Sequence, residues 1–253
     1  MKFKYFVLLA TLFIGVILIS GCLTEKQESK KEGNPTTPTI PSENITENAL
    51  VSCVNFDEFE EDISENYKIY LTSRQFVPPE GIECSLIDNL DSCKSSRIHI
   101  IIQFQDILKQ NERSELANYG VNLYNYIHNN AYFVSVPANK GNIKKIADLS
   151  FVRWISDILA EDKIAGNIKE EKIGNWAINE DRTINVIVVF FKDILPEDAK
   201  NIIKKHNGII KSEVGMLNDI TISISKNIIN EIAKEDAVQW IELSPPPETI
   251  FDE

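Results

Sequence analysis

The chain carries an internal repeat, and this feature constrains its fold more strongly than any single residue does. The segment Phe151–Ile155 (Phe-Val-Arg-Trp-Ile) returns as Ala237–Ile241 (Ala-Val-Gln-Trp-Ile). Upstream of the two tryptophans, Asp106–Leu108 matches Asp193–Leu195, and the offset between matching segments stays within 86 to 88 residues. A self-match at a nearly fixed period indicates two units that share one plan.

Each unit predicts the same order of secondary structure. Arg97–Phe104 is rich in β-branched residues, which favours a central strand, and Gly120 follows a helical pattern where glycine commonly ends a helix. Turn residues at 128–130 separate two short strands and predict a hairpin. The predicted elements are strands 97–104, 121–127, 132–136 and 152–155 with helices 111–119 and 142–148, then strands 184–191, 209–214, 220–224 and 238–243 with helices 196–206 and 225–234.

This order predicts an α+β protein of two consecutive ferredoxin-like (β-α-β-β-α-β) domains, each with an antiparallel sheet and both helices on one face. Trp154 and Trp240 lie on the final strand of their units and are predicted to pack in the cores beneath a helix. Asp106 and Asp193 precede helices, so we expect their carboxylates to accept hydrogen bonds from free helix amides.

The N-terminal part of the chain predicts export and attachment to a membrane. Two lysines precede an uncharged apolar run, which is the composition of a signal peptide over residues 1–21. The run closes on Ile-Ser-Gly before Cys22, an ending that resembles the lipobox of secreted lipoproteins and implies a diacylglycerol on Cys22. An uncleaved anchor or an ordinary signal peptide is the alternative. The protein is therefore expected at the extracytoplasmic face of the cell membrane.

The rest of the chain divides by composition. Residues 22–66 are predicted to form a polar tether and an acidic arm. Residues 23 to about 48 hold too few apolar residues to offset the entropy of ordering, and the acidic segment 51–66 is predicted to be a loosely held helix or an irregular arm. Asn44 begins an N-glycosylation sequon there. The first domain is placed at 67–165, a linker that adds an edge strand to the first domain at 166–182, and the second domain with a C-terminal tail at 183–253.

Three cysteines remain after Cys22, and an exported chain favours disulfides. We expect Cys84 and Cys93 to pair, because they would close a short loop worth about 2 to 3 kcal/mol. Cys53 is then left without an assigned partner. A zinc site that combines the three cysteines with His99 is the minor alternative, because no Cys-x-x-Cys spacing supports it.

The sequence offers no recognisable pattern for catalysis or nucleic-acid binding. Its formal charge of −12 opposes binding to a phosphate backbone. No nucleophile accompanies His99, His128 or His206 in a known catalytic spacing, and no phosphate-binding glycine loop or metal-ligand helix pair occurs. We therefore predict a protein that is not an enzyme and that needs no cofactor or metal.

The repeated unit, with its lead-in Leu71–Gly81 (Leu-Thr-Ser-Arg-Gln-Phe-Val-Pro-Pro-Glu-Gly), resembles the propeptide (inhibitor I9-like) modules that precede secreted subtilisin-like serine proteases. The resemblance covers about residues 67–247. It implies that the sheet face of a module packs on the protease and that its C-terminal tail runs through the catalytic cleft. In that tail Pro245–Pro247 favour an extended conformation, and Thr249, Ile250 and Phe251 would supply side chains for pockets of the cleft.

The segments that carry the Asp, His and Ser of a subtilisin-like catalytic domain do not occur in this sequence. We therefore expect a non-catalytic surface lipoprotein whose two modules bind a protein partner, with inhibition or chaperoning of a separately encoded protease in trans as the concrete case. A cell-surface scaffold protein unrelated to proteolysis is the alternative. Small-molecule binding between sheets, as in ACT modules, ranks last because the sequence identifies no polar groove.

Overall fold

Each unit of the repeat forms its own sheet with helices packed on one face. The computed structural model describes residues 51–55, 65–214 and 218–246, all of which belong to one compact unit spanning residues 48–253. The fold is mixed α+β. Every strand and helix predicted for the two units occurs, with ends shifted by up to two residues, except that the last α-helix begins at Ile229, four residues after its predicted start and behind a 3-10 turn at Lys226–Ile228.

The first unit follows a short lead-in hairpin. Its five-stranded sheet has the order β3-β7-β4-β6-β5, in which β3 is parallel to β7 and the other pairs are antiparallel. The elements are β1 (Ile69–Tyr70) and β2 (Gln75–Phe76) in the lead-in hairpin, then β3 (Gly81–Ile82), α1 (Cys84–Ser92), β4 (Arg97–Phe104), α2 (Gln110–Asn118), β5 (Asn122–Ile127), β6 (Ala131–Pro137), α3 (Lys140–Ala147) and β7 (Val152–Asp157).

The second unit follows a linker of short helices. Its four-stranded antiparallel sheet has the order β11-β8-β10-β9. In each sheet the last strand of the β-α-β-β-α-β repeat (β7 or β11) lies beside the first strand of the repeat (β4 or β8). That first strand also lies beside the third strand of the repeat (β6 or β10). The elements are a 3-10 helix (Ala160–Lys163), α4 (Gly166–Lys169), β8 (Ile184–Phe190), α5 (Pro196–Lys205), β9 (Ile209–Val214), β10 (Asp219–Ile224), α6 (Ile229–Ala233) and β11 (Val238–Leu243).

The two sheets share their register as well as their strand order. Each final strand has a bulge in the residue before its tryptophan, so that Trp154 lies opposite Gln103 and Trp240 lies opposite Val189. A bulge changes which side chains point to each face of a strand. Because both strands carry the same bulge, Trp154 and Trp240 occupy equivalent points of the two sheets.

The repeat extends one segment further than the sequence indicates. Ile82 pairs in parallel with Ile155 at the edge of the first sheet, and Ile164 pairs in parallel with Ile241 at the edge of the second. The linker was expected to add an edge strand to the first unit, and this expectation was wrong. The lead-in supplies that edge, while Ile164, assigned above to the end of the first domain, pairs with the sheet of the second unit.

Alternating residues of each central strand face the helices. On β4 these are Ile98, Ile100, Ile102 and Phe104, which form a core with α1, α2 and α3, and on β8 they are Ile184, Val186, Val188 and Phe190, which form a core with α5 and α6. This period of two is the pattern expected for a sheet with one face against helices. The intervening residues define the opposite surface, which we call the open face of each unit.

Candidate functional site

The open face of the first unit is buried despite its name. None of the following residues of this face is more than 5% exposed: His99, Ile101 and Gln103 on β4, Ala131 and Ser135 on β6, and Trp154 and Ser156 on β7. No helix of the first unit covers them, since its three helices pack on the other side of the sheet. Two other parts of the chain, the lead-in hairpin and the second unit, provide the cover.

The lead-in hairpin covers the part of the face around Trp154. Ile69 is fully buried there, and Leu71 and Phe76 pack against the same apolar group, which includes Ile101. The rings of Phe76 and Trp154 meet edge to face, with centroids 5.8 Å apart, a favoured geometry for aromatic pairs. Trp154 is thus buried as predicted, but beneath a hairpin instead of a helix.

A bidentate ion pair fastens this hairpin to the 3-10 helix Ala160–Lys163. Arg74 donates from Nε to Asp162 Oδ1 over 2.9 Å and from Nη2 to Asp162 Oδ2 over 2.8 Å. Ser73 Oγ also donates to Asp162 Oδ1 over 2.7 Å, and the Arg74 guanidinium lies 4.2 Å from the ring centroid of Phe76. Paired hydrogen bonds of this kind add geometric specificity to the charge attraction. The turn of the hairpin is therefore held in one position.

Glu83 closes the edge of the covered face. Its carboxylate accepts a hydrogen bond from Trp154 Nε1 at 3.1 Å and another from Ser156 Oγ at 2.7 Å. Burial raises the pKa of Glu83, and these two hydrogen bonds oppose that rise. Trp154 is consequently held by a polar contact in addition to its apolar packing.

The second unit covers the part of the face around His99. The backbone N–H of His99 donates to Asp236 Oδ1 over 2.8 Å, Nδ1 lies 2.7 Å from Asp236 Oδ2, and Nε2 lies 2.9 Å from Asp193 Oδ1. The imidazole stacks on Phe191 with centroids 4.0 Å apart. The ring of His99 is therefore held between two carboxylates and one aromatic ring of the second unit.

Asp193 therefore has a different role from the one predicted for it. Its carboxylate contacts His99 of the other unit, and the equivalent Asp106 accepts a hydrogen bond from the amide of Ile107, which lies ahead of α2 and outside it. The expected hydrogen bond to a helix amide is therefore found for neither acid. Although burial alone would raise the pKa of Asp193, the hydrogen bonds from His99 and Tyr124 lower it. The residue that looked like a helix cap is part of the junction between the two units.

Lys163 is a second buried ionisable group at this junction. Its side chain is 3% exposed, and Nζ donates to the Glu235 carbonyl oxygen over 2.9 Å. Burial lowers the pKa of Lys163 to about 8, against the attraction of Asp236 and Asp157. The junction thus places the His99 ring and the buried Lys163 amine among carboxylates of both units.

The open face of the second unit lacks an equivalent cover. On this face Ser223 alone among the matched positions is buried, at 2% exposure, where it meets Asn179 and Thr183. Across the described residues 159–182, an isolated antiparallel bridge joins Ile178 to Ile184, but no two-stranded hairpin like β1–β2 precedes β8. The half-buried or exposed residues of this face are Asn185, Ile187 and Val189 on β8, Thr221 on β10, and Trp240 and Glu242 on β11.

Trp240 is therefore only partly buried, and its prediction as a core residue was wrong. Its Nε1 donates to Glu242 Oε2 over 3.1 Å, and its ring lines a cleft of about 320 Å³ between the two units. Tyr70 and Tyr126 line the same cleft and are 39% and 55% exposed. The other lining residues are Leu71, Thr72, Ile127, His128, Phe133, Asp162 and Gln239.

The predicted pairing of Cys84 with Cys93 is wrong. Cys84 forms a disulfide with Cys53, and their Cα atoms are 5.0 Å apart. Cys84 and Cys93 lie at opposite ends of α1, and a helix of this length separates its ends by roughly 13 Å, beyond the reach of a disulfide. Val54 instead pairs with Glu83 and brings Cys53 to Cys84. Cys93 has a free thiol, and the disulfide excludes the three-cysteine zinc site.

The remaining predicted site residues lie outside the described part of the chain. They are Cys22 for lipidation, Asn44 for glycosylation, and Thr249, Ile250 and Phe251 of the tail. Across residues 51–55, 65–214 and 218–246 no helix has the length and apolar character needed to cross a membrane. Within the same ranges no group of three or more His, Cys, Asp and Glu side chains is placed to hold a metal ion.

Comparison with known proteins assigns one stretch of the chain. A family model described as a domain of unknown function (DUF8729) matches residues 70–159. The matched stretch begins inside the lead-in hairpin and ends just after β7, so it takes most of the hairpin together with the first unit. No curated protein and no solved structure matches the chain.

Proposed function

We propose that this protein is a non-catalytic, membrane-tethered binding protein whose second unit receives a protein partner on its open face. One observation carries the proposal, namely the contrast between the two open faces. The first is sealed by the chain itself, while the second presents Ile187, Val189 and Trp240 at least partly to solvent. Apolar groups gathered on a sheet face and rimmed by polar residues are typical of protein interaction sites.

At the finer level, we propose that both units are ferredoxin-like domains of the propeptide (inhibitor I9-like) type. The strand order supports this assignment, since in both sheets the last strand lies beside the first and the helices pack on one face. The resemblance implies that the sheet face of such a module packs on a protease. Because the first face is covered, we assign this role to the second unit, residues 183–253, and a supporting role to the first.

The concrete partner that we propose is an exported subtilisin-like protease, inhibited or chaperoned in trans. The chain leaves the sheet from β11, an edge strand that contributes Trp240 and Glu242 to the open face. Ser244 continues this direction, with its N–H donating to the Asn185 carbonyl oxygen over 3.0 Å. A partner on the face would thus also be next to the start of the tail, whose Thr249, Ile250 and Phe251 we propose to enter the catalytic cleft.

Progress curves of candidate proteases would test this function. We expect the full chain to inhibit a partner protease, and we expect both removal of residues 244–253 and Ile187→Glu on the open face to weaken inhibition at least tenfold. Lys145→Glu, an exposed change on α3 of the first unit, is the matched control and should leave inhibition unchanged. Equal inhibition by all variants, or none against a panel of such proteases, would favour the scaffold alternative.

We also propose that the chain is exported and anchored through a lipid on Cys22. Two acyl chains hold a protein to a membrane far more firmly than a single chain does. Cys22→Ala should therefore move the protein from the membrane fraction to the soluble fraction or leave the precursor unprocessed. Unchanged membrane retention and electrophoretic mobility would contradict the lipid anchor, and neither result bears on the open face of the second unit.

A further inference from the structure

We infer that the cleft beside Trp240 is an anchor site for an aromatic side chain carried on a loop of the protein partner. The inference rests on the proposed function, in which the second open face receives a protein, and it specifies the chemistry of that partner. Trp240 belongs both to this face and to the cleft, so a partner seated on the face has direct access to the cleft.

In the first unit the position equivalent to Trp240 is already in contact with an aromatic residue. Trp154, the equivalent of Trp240 in sheet register, is met edge to face by Phe76 from the lead-in hairpin. Both tryptophans follow the same bulge, and both pair with the central strand of their sheet. The chain thus provides its own example of an aromatic residue, carried on a turn, packing on this position of the unit. In the second unit the cleft lies beside Trp240, at the position that Phe76 occupies beside Trp154 in the first unit.

The lining of the cleft suits a single bulky aromatic group. Its volume of about 320 Å³ is at the lower end of the range for sites that enclose small ligands. Tyr70 and Phe133 lie on the side of the first unit and Trp240 on the side of the second. An aromatic ring between them can make offset or edge-to-face contacts, and buried aromatic anchors are the residues that dominate binding energy at interfaces.

The polar groups of the cleft favour a neutral ligand. Asp162 is the one carboxylate among the described lining residues, and its oxygens already accept hydrogen bonds from Arg74 and Ser73. A cationic side chain would therefore find no unused carboxylate there. Thr72 and Gln239 offer uncharged donors and acceptors at the margin, which suits the backbone of a peptide loop that carries the aromatic residue.

Selection from a displayed library of disulfide-closed loops against the full chain would test the inference. We expect the enriched loops to share a Phe, Tyr or Trp, and their affinity to fall at least tenfold on Trp240→Ala and on Tyr70→Ser. Trp176→Ala is the matched control, because Trp176 is also partly exposed, at 50%, but does not line the cleft. Enriched loops without an aromatic residue, or equal binding to the Trp240 variant, would overturn the inference.

A second measurement separates an aromatic ligand from a sugar, which also stacks on aromatic rings. The indole N–H resonance of Trp240, assigned with Trp240→Phe, should shift saturably with N-acetylphenylalaninamide, less with N-acetylleucinamide, and not with maltose. A shift with maltose and none with the phenylalanine amide would overturn the inference. A shift with the phenylalanine amide alongside absent protease inhibition would retain the anchor site and reject the protease, while inhibition unaffected by Trp240→Ala would do the reverse.

Discussion

The two open faces have the same geometry but opposite surroundings. Residues at equivalent sheet positions differ in burial at almost every point, although the strands that carry them share order, register and bulge. The equivalent pairs are His99 and Asn185, Ile101 and Ile187, Gln103 and Val189, Ser135 and Ser223, Trp154 and Trp240, and Ser156 and Glu242. Both units keep a core under their helices, whereas only the first keeps a cover over its other face.

The covered face carries a polar residue at a position where the uncovered face carries an apolar one. The buried face contains Gln103, which donates to the Tyr67 carbonyl oxygen and accepts from Arg153, so its polarity is satisfied by the cover. The equivalent residue of the uncovered face is the apolar Val189. If this face contacted only water, polar residues would be expected here. Instead the face carries the apolar residues Ile187 and Val189. This difference is the physical ground for assigning a partner to the second unit.

Emptying the two tryptophan sites is the strongest test of this contrast. Trp154→Ala should lower the free energy of unfolding by about 3 to 5 kcal/mol, the usual cost of removing a large buried aromatic side chain. Trp240→Ala should lower it by about 1 kcal/mol, because that side chain is only partly buried and belongs to no core cluster. Urea denaturation of the two variants measures both values. Equal losses would show that the second face is covered as fully as the first.

The sequence is sufficient for the elements of the repeat because their signals are local. Gly120 marks the end of a helix, Pro196 begins one, and alternation along β8 marks a strand with one face in a core. Each signal depends on neighbours within a few residues in the chain. The strands and helices of both units therefore occur where the patterns place them.

The covers and the junction could not be predicted, because they depend on contacts between distant residues. His99 meets Asp193 and Asp236 across 94 and 137 residues, and Arg74 meets Asp162 across 88. Nothing in the neighbourhood of His99 distinguishes a junction residue from a polar residue in an isolated strand. One available signal was the change from His99, Gln103 and Ser156 to different residue types in the second unit, which indicates that the two faces have different surroundings.

The disulfide offers a second test, since it stabilises only the first unit. Cys84 has Gly166 as its structural equivalent, two residues after Ile164, so the second unit has no such bond. Cys53→Ser should lower the free energy of unfolding by about 3 to 4 kcal/mol, from the entropy of a loop of 31 residues. Cys93→Ser is the matched control and should have almost no effect. Loss of stability in the control alone would restore the pairing of Cys84 with Cys93.

Replacing His99 with the residue found in the second unit tests the junction. His99→Asn should lower the free energy of unfolding by about 2 to 3 kcal/mol, because hydrogen bonds to charged groups are lost and two carboxylates are left near each other. Adding Asp193→Asn should recover part of the loss by removing one of those charges. A loss that is independent of Asp193 would assign His99 a packing role only.

The prediction for Lys163 concerns the smallest change in the free energy of unfolding, and the direction of that change with pH follows from the pKa of the Lys163 amine. It occupies the position of Gly81 in the first unit, since each precedes the isoleucine that pairs with the last strand. Burial lowers the pKa of Lys163 to about 8, whereas an unfolded lysine titrates near 10.4. Between these values the unfolded chain binds more protons than the folded one, so this residue makes the free energy of unfolding rise with pH. The rise should amount to about 1 kcal/mol between pH 8 and pH 9.

Urea titrations across this range should show that rise in the wild type relative to Lys163→Met. Lys145→Met, an exposed change on α3, is the control and should retain the rise. If Lys163→Met and the wild type change in parallel, the Lys163 amine is solvated, and the two units part readily at this junction.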